Sequence, residues 1–143
     1  MLKIIDLFFS KISAERFKEF ASFQGETHIN SDIQIKELEK RDIESQKDKK
    51  ILEIFFTFDV VYHPNLAKLN IEGKIIAGAE KEEAENIFKE WKKSKKIEDL
   101  RVLNTILHKC NLKALQLEEE LKLPSHIPLP TLTPKVIEEK KRS

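Results

Sequence analysis

Glycine is scarce: Gly25, Gly73 and Gly78 are the only three in 143 residues, too few and too scattered for a phosphate-cradling loop or a dinucleotide fingerprint. A single cysteine, Cys110, excludes an intrachain disulfide and a Cys-rich metal knuckle, and it suits a reducing compartment. No run approaches the roughly 20 consecutive apolar residues of a membrane span. The first residues also lack the succession of basic, apolar and small residues that marks a secretory leader, so the expected location is the cytoplasm. Neither sign of charge is in excess, with 26 Lys and Arg against 25 Asp and Glu, whereas a nucleic-acid-binding face normally carries a clear basic surplus. The histidines, His28, His63, His108 and His126, fall in different segments without the i+3 or i+4 spacing of a helical metal site. The many carboxylates cannot be paired into an acid and a base. The expectation is therefore a chain with no catalytic residues, no metal and no cofactor.

What is present is charge and aliphatic bulk: 36% of residues are charged and 40% hydrophobic. Richness in Lys, Glu and Ile with little Cys, Met, Gly or Trp resembles heat-adapted composition. At this length the chain buries about two-thirds of its unfolded surface, enough for one core. Its clearest segment is Ile51–Tyr62, where Leu52, Ile54, Phe56, Phe58, Val60 and Tyr62 alternate onto one face of a strand. The other face, with Glu53, Phe55, Thr57 and Asp59, is mixed. His63-Pro64-Asn65 reads as a turn, and Leu69, Ile71, Gly73 and Ile75 alternate with Lys68, Asn70, Glu72 and Lys74 as the hairpin partner. Ile29, Ile33 and Ile35 give a further strand, and Ile5, Leu7 and Phe9 another. The sheet is expected to be antiparallel.

Beyond Gly78 the period changes. Ala84, Ile87, Phe88 and Trp91 form one helical stripe. A longer helix is expected from Glu98-Asp99, whose acidic side chains suit a helix N-terminus. Leu100, Leu103, Leu107, Cys110, Ala114, Leu117 and Leu121 run along one side of it, and Val102, Ile106, Leu112 and Leu115 broaden the apolar face. So wide a face needs cover from more than one direction, which points to self-association. Cys110 on this stripe reads as a buried, inert thiol. Leu123-Pro124-Ser125-His126-Ile127-Pro128-Leu129-Pro130 reads as an extended strap, and 135–143 as a charged flexible tail.

Two features fall outside this pattern. Lys89, Lys92, Lys93, Lys95 and Lys96 surround Trp91. They are either a solvated helix end or, with the Lys92–Lys96 cluster as contact, a small nucleic-acid-binding or adaptor surface. Phe17, Phe20 and Phe23 recur at a spacing of three after Phe8 and Phe9, either docked on the sheet or presented as an apolar surface.

Read together, these segments resemble the SecB family of export chaperones. Ile5–Phe9, Ser10, Lys11, Ile12-Ser13 and Glu15 are similar to that family's first strand, Ile12 to Phe23-Gln24 to its crossover segment, and Leu123–Leu132 to its closing Leu-Pro and Pro-Leu-Pro run. Strand and helix order agree over residues 1–134. The acidic residue that the family places between the Lys and the Ile-Ser pair, part of the surface that docks the SecA motor, is missing, which puts SecA docking in doubt; the crossover proline is also missing, with Phe17 and Phe20 in that neighbourhood, which implies a groove of different shape. The resemblance implies an α+β fold, a four-stranded antiparallel sheet with two C-terminal helices packed on one face, in a single domain over 1–134. It further implies a homo-oligomer, a dimer or a dimer of dimers (a homotetramer), and an ATP-independent holdase that binds unfolded client polypeptides in apolar grooves for protein transport. Because the strand and helix stripes already supply enough apolar side chains for a core of this size, Phe17, Phe20, Phe23 and Phe55 are expected to contact clients. Val102, Ile106, Leu112 and Leu115 are expected at the subunit interface.

Overall fold

The computed structural model describes residues 2–18 and 27–128. Phe20, Phe23, Gln24 and the tail 135–143 lie outside the described residues. Four strands, β1 (Lys3–Arg16), β2 (His28–Ile43), β3 (Gln46–His63) and β4 (Ala67–Glu80), form one antiparallel sheet in the spatial order β1-β4-β3-β2. Two helices, α1 (Lys81–Ser94) and α2 (Leu100–Leu121), follow, and their inward residues join one core with the sheet. This is the α+β arrangement expected from the sequence.

The centre of the sheet follows the alternation closely. Leu52, Ile54, Phe56, Phe58, Val60 and Tyr62 are at most 1% exposed, and Leu69, Ile71 and Ile75 on β4 are fully covered. Phe56 sits opposite Gly73 in the register. A Cβ at position 73 would lie 2.9 Å from the Phe56 ring and press on the Phe8 carbonyl, so that ring fits because residue 73 has no side chain. The hairpin turn uses a cis His63–Pro64 bond and a left-handed Asn65 (φ 51°), a conformation that asparagine tolerates better than most residues.

The edge strands depart from the expected alternation. β1 carries irregularities between Ile4 and Asp6 and between Phe9 and Lys11; each inserts a residue and reverses the faces that follow. Ile4, Leu7 and Phe9 therefore pack on the core, while Ile5, expected inward, is 58% exposed. β2 continues to Ile43, well past Lys36, and a bulge between Ile35 and Glu37 breaks its period of two.

α2 begins where expected, with Asp99 Oδ1 accepting from the backbone N–H of Arg101 at 2.9 Å and of Val102 at 3.2 Å. Its buried side is rotated from the expected one. Val102, Ile106, Cys110, Ala114 and Glu118 are the buried residues of the helix, while Leu100 and Leu107 are 71% and 42% exposed. A strict four-residue step advances about 40° per turn around a helix of 3.6 residues per turn. That is the inclined ridge by which a helix crosses its support obliquely. The assignment of Val102 and Ile106 to a subunit interface is thus corrected: this chain's own core covers both completely.

Candidate binding groove

Sheet order makes β2 an edge strand, and the two helices do not fully cover it. α1 lies over β3, β2 and β4, and α2 over β1, β4 and β3. On the helix side of β2, Leu38 is buried, but Ile29, Ile33 and Ile35 are only half-buried. α1 stops at Lys95, whose left-handed backbone (φ 57°) donates its N–H to the Trp91 carbonyl at 2.8 Å, and the chain turns away toward α2. The result is a groove of roughly 940 Å³. Its floor is Ile33, Ile35 and Leu38, and its apolar wall is Phe88, Trp91, Ile97 and Leu103.

Lysines ring this apolar trough. Lys36, Lys92, Lys95 and Lys96 line it. The Lys92 ammonium lies 4.8 Å from the centre of the Phe88 ring, Lys40 lies 5.2 Å from the same ring, and Lys95 lies 5.4 Å from Trp91. Such contacts contribute about 0.5–1 kcal/mol each at exposed sites. Trp91 is itself only 6% exposed, as its place on the α1 stripe requires.

The site residues read from sequence do not converge on one place. The Phe17 backbone N–H donates to the Leu66 carbonyl at 2.7 Å, and the side chain is 45% exposed at the end of β1. Phe55 pairs in register with Lys74 on the sheet face away from the helices, where the Lys74 ammonium lies 5.5 Å from its ring and 5.3 Å from that of Phe8. Leu66 and Lys74 are eight residues apart, about 26 Å of extended chain at roughly 3.3 Å per residue, so Phe17 and Phe55 belong to different surfaces. Phe20 and Phe23 lie outside the described residues. Leu112 is half exposed and Leu115 partly so; both remain accessible to another subunit. The groove itself was missed. The signal that could have found it is β2's isoleucine row, since two helices cannot blanket four long strands and an edge row is the one left bare.

One further cluster is internal. Glu118 is 2% exposed, yet it accepts a hydrogen bond from the Tyr62 hydroxyl and another from the His126 backbone N–H at 2.8 Å. The His126 ring meets it through Nδ1 at 2.7 Å, while Nε2 meets Asn111 Oδ1 at 2.8 Å. The Tyr62 oxygen also lies 2.8 Å from the Pro124 carbonyl, a second acceptor for its single proton. Burial first, and the Glu118 carboxylate second, push the Tyr62 phenol far above its ordinary value. The strap expected after α2 is thereby fastened to the end of β3. Burial also raises the Cys110 thiol to about 12, which leaves it unreactive in the folded protein. Among the described residues no group of three or more His, Cys, Asp or Glu side chains is placed to hold a metal, and no helix is long and apolar enough to cross a membrane.

Sheet order, antiparallel register and two C-terminal helices on one face define the SecB-like α+β fold. Among solved structures, a Mycobacterium tuberculosis protein, the Rv1957 SecB-like chaperone in complex with a ChAD peptide from the Rv1956 HigA1 antitoxin, is similar over 92% of this chain and 90% of that one, with a TM-score of 0.53 and 12% identity. At that identity the likeness establishes the fold. No family model matches the sequence, and no curated protein does.

Proposed function

We propose that the protein is an ATP-independent holdase that binds non-native polypeptides in the groove beside β2. The observation that carries this reading is the row Ile33, Ile35 and Leu38, an apolar floor at a sheet edge with Phe88 and Leu103 beside it. Each large apolar side chain that a client buries there contributes about 1.5–3 kcal/mol before the cost of ordering. Binding of this kind needs no chemical step and no nucleotide, so the reading is of a binding protein and not an enzyme. The fold is shared with a chaperone whose structure holds an antitoxin peptide, which supports a polypeptide as the occupant. Phe17, Phe20, Phe23 and Phe55 extend the proposed contact area for long clients, and several weak sites on one particle raise effective concentration.

Self-association belongs to the same proposal, as a dimer or dimer of dimers. With Val102 and Ile106 inward, the contact surface is the outward side of α2, where Leu100, Leu107 and Leu112 are exposed and Leu115 is partly so. A cytoplasmic holdase keeps clients unfolded for later folding or transport. The alternative of nucleic-acid binding through Lys92–Lys96 is less well supported, because Trp91 is buried and its ring carries Lys95, leaving no open face on which a base can stack.

The test is protection of an unfolding client from aggregation, measured by light scattering. Ile33→Ser/Ile35→Ser should reduce protection per folded molecule by about ten-fold, the order expected for losing one or two groove contacts. Full protection by that variant, or none by the wild type, overturns the proposal.

A further inference from the structure

The lysines at the α1 end of the groove, Lys92, Lys95 and Lys96, are out of balance with their surroundings. Two carboxylates line it, Glu37 and Glu98. Glu37 pairs in register with Phe55 and so shares that residue's sheet face, turned away from the helices. Arg41 and Lys74 pair with Glu53, Lys50 with Asp42, and His126 with Glu118; none of these ion pairs uses a groove lysine. Lys36, the extra residue of the β2 bulge, sends its Nζ to the Gln34 side chain at 2.8 Å; Gln34 pairs with Thr57 on the face away from the helices, so this lysine, like Glu37, is not part of the lip. The ammonium groups of Lys92 and Lys95 are held over the two aromatic rings of the wall, fixing positive charge at the lip of an apolar trough in a chain whose net charge is only +1.

We infer that this groove selects apolar segments flanked by acidic residues. The inference rests on the client-binding reading and refines it: the apolar floor supplies non-specific affinity, and the lysine lip decides among clients by the charge beside their apolar stretches. Polypeptide carboxylates are the fitting anions, because the floor is aliphatic and the ring faces that would stack a base carry lysines.

Three labelled peptides with one apolar core, flanked by Asp, Ser or Lys, test this by fluorescence anisotropy at low and high salt. The Asp-flanked peptide should bind about ten-fold tighter than the Lys-flanked one at low salt, with the gap closing as salt screens the lip. Lys92→Gln/Lys95→Gln/Lys96→Gln should remove the preference, so that the Asp- and Lys-flanked peptides bind within about two-fold of each other at low salt. Lys36→Gln, whose ammonium lies on the face away from the helices, should leave the preference unchanged; a thermal melt verifies folding of both variants. Equal binding of the Asp and Lys peptides, or preference for Lys, overturns the inference while leaving the client-binding reading intact. Failure of every peptide together with failure to protect a client overturns both. Displacement of the Asp-flanked peptide by a single-stranded oligonucleotide at lower concentration assigns the lip to nucleic acid instead.

Discussion

Tyr62 is the only tyrosine in the chain, which makes one buried hydroxyl separately measurable. It has one proton to give and two acceptors around it, the Glu118 carboxylate and the Pro124 carbonyl. Its phenol is pushed up by burial and by that carboxylate. An unfolded tyrosine loses its proton near pH 10. Below that pH both states hold the proton and the shift has no effect on stability. Above it the unfolded chain binds fewer protons than the folded one, so stability falls as pH rises. The ultraviolet absorbance of tyrosinate should therefore appear together with unfolding, at a pH above 10, and Tyr62→Phe should flatten the alkaline loss of stability while costing about 0.5–1.5 kcal/mol at neutral pH. A smooth titration near pH 10 in the native protein would show the hydroxyl to be in water. None of this was legible in the sequence: Tyr62 read as the last core residue of a strand, and its partners Glu118 and Pro124 lie 56 and 62 positions away, brought to it only by the path of α2.

At the scale of elements, legibility followed how many neighbours an element has. β3 and β4 are paired on both sides, so burial imposes a strict period of two that Leu52–Tyr62 display plainly. α1 likewise shows its inward stripe, and Trp91 lies on it as expected. β1 and β2 are edges: bulges at Ile5 and past Ile35 changed the faces, and the charged run after Lys36 concealed the continuation of β2. On α2 leucines occupy several sides, so composition could not say which ridge is inward. Val102 and Ile106 looked like the margin of a stripe and proved to be its centre, whereas Leu100 and Leu107 are outside. This separates two substitutions one position apart. Ile106→Asp puts an unpaired charge in the core and should unfold the protomer, at a cost of several kcal/mol. Leu107→Asp combined with Leu112→Asp should leave the melting temperature of the protomer nearly unchanged and lower the molar mass measured by light scattering. An unchanged molar mass in the double variant would remove the outward side of α2 from the proposed contact.

Over the whole molecule, the arrangement uses its two helices unevenly. They close the core over the middle of the sheet and leave the isoleucine row of β2 as a trough beside α1. The remaining exposed apolar side chains, among them Ile5, Phe8, Ile12 and Phe17 on or beside β1, are scattered toward the opposite edge, so the β2 trough is the concave apolar surface best formed to hold an extended chain. In the proposed function unfolded chains are met through burial of apolar area, and a folded client, with its apolar side chains inside, offers the trough nothing. The most direct measurement uses Trp91, the one tryptophan of the protein and part of the trough wall. Titration with a tryptophan-free client held unfolded should change Trp91 emission to saturation, with the same midpoint as protection from aggregation, and the folded form of that client should leave the emission unchanged. Protection from aggregation with Trp91 emission unaltered throughout would place client binding elsewhere on the molecule and contradict the account.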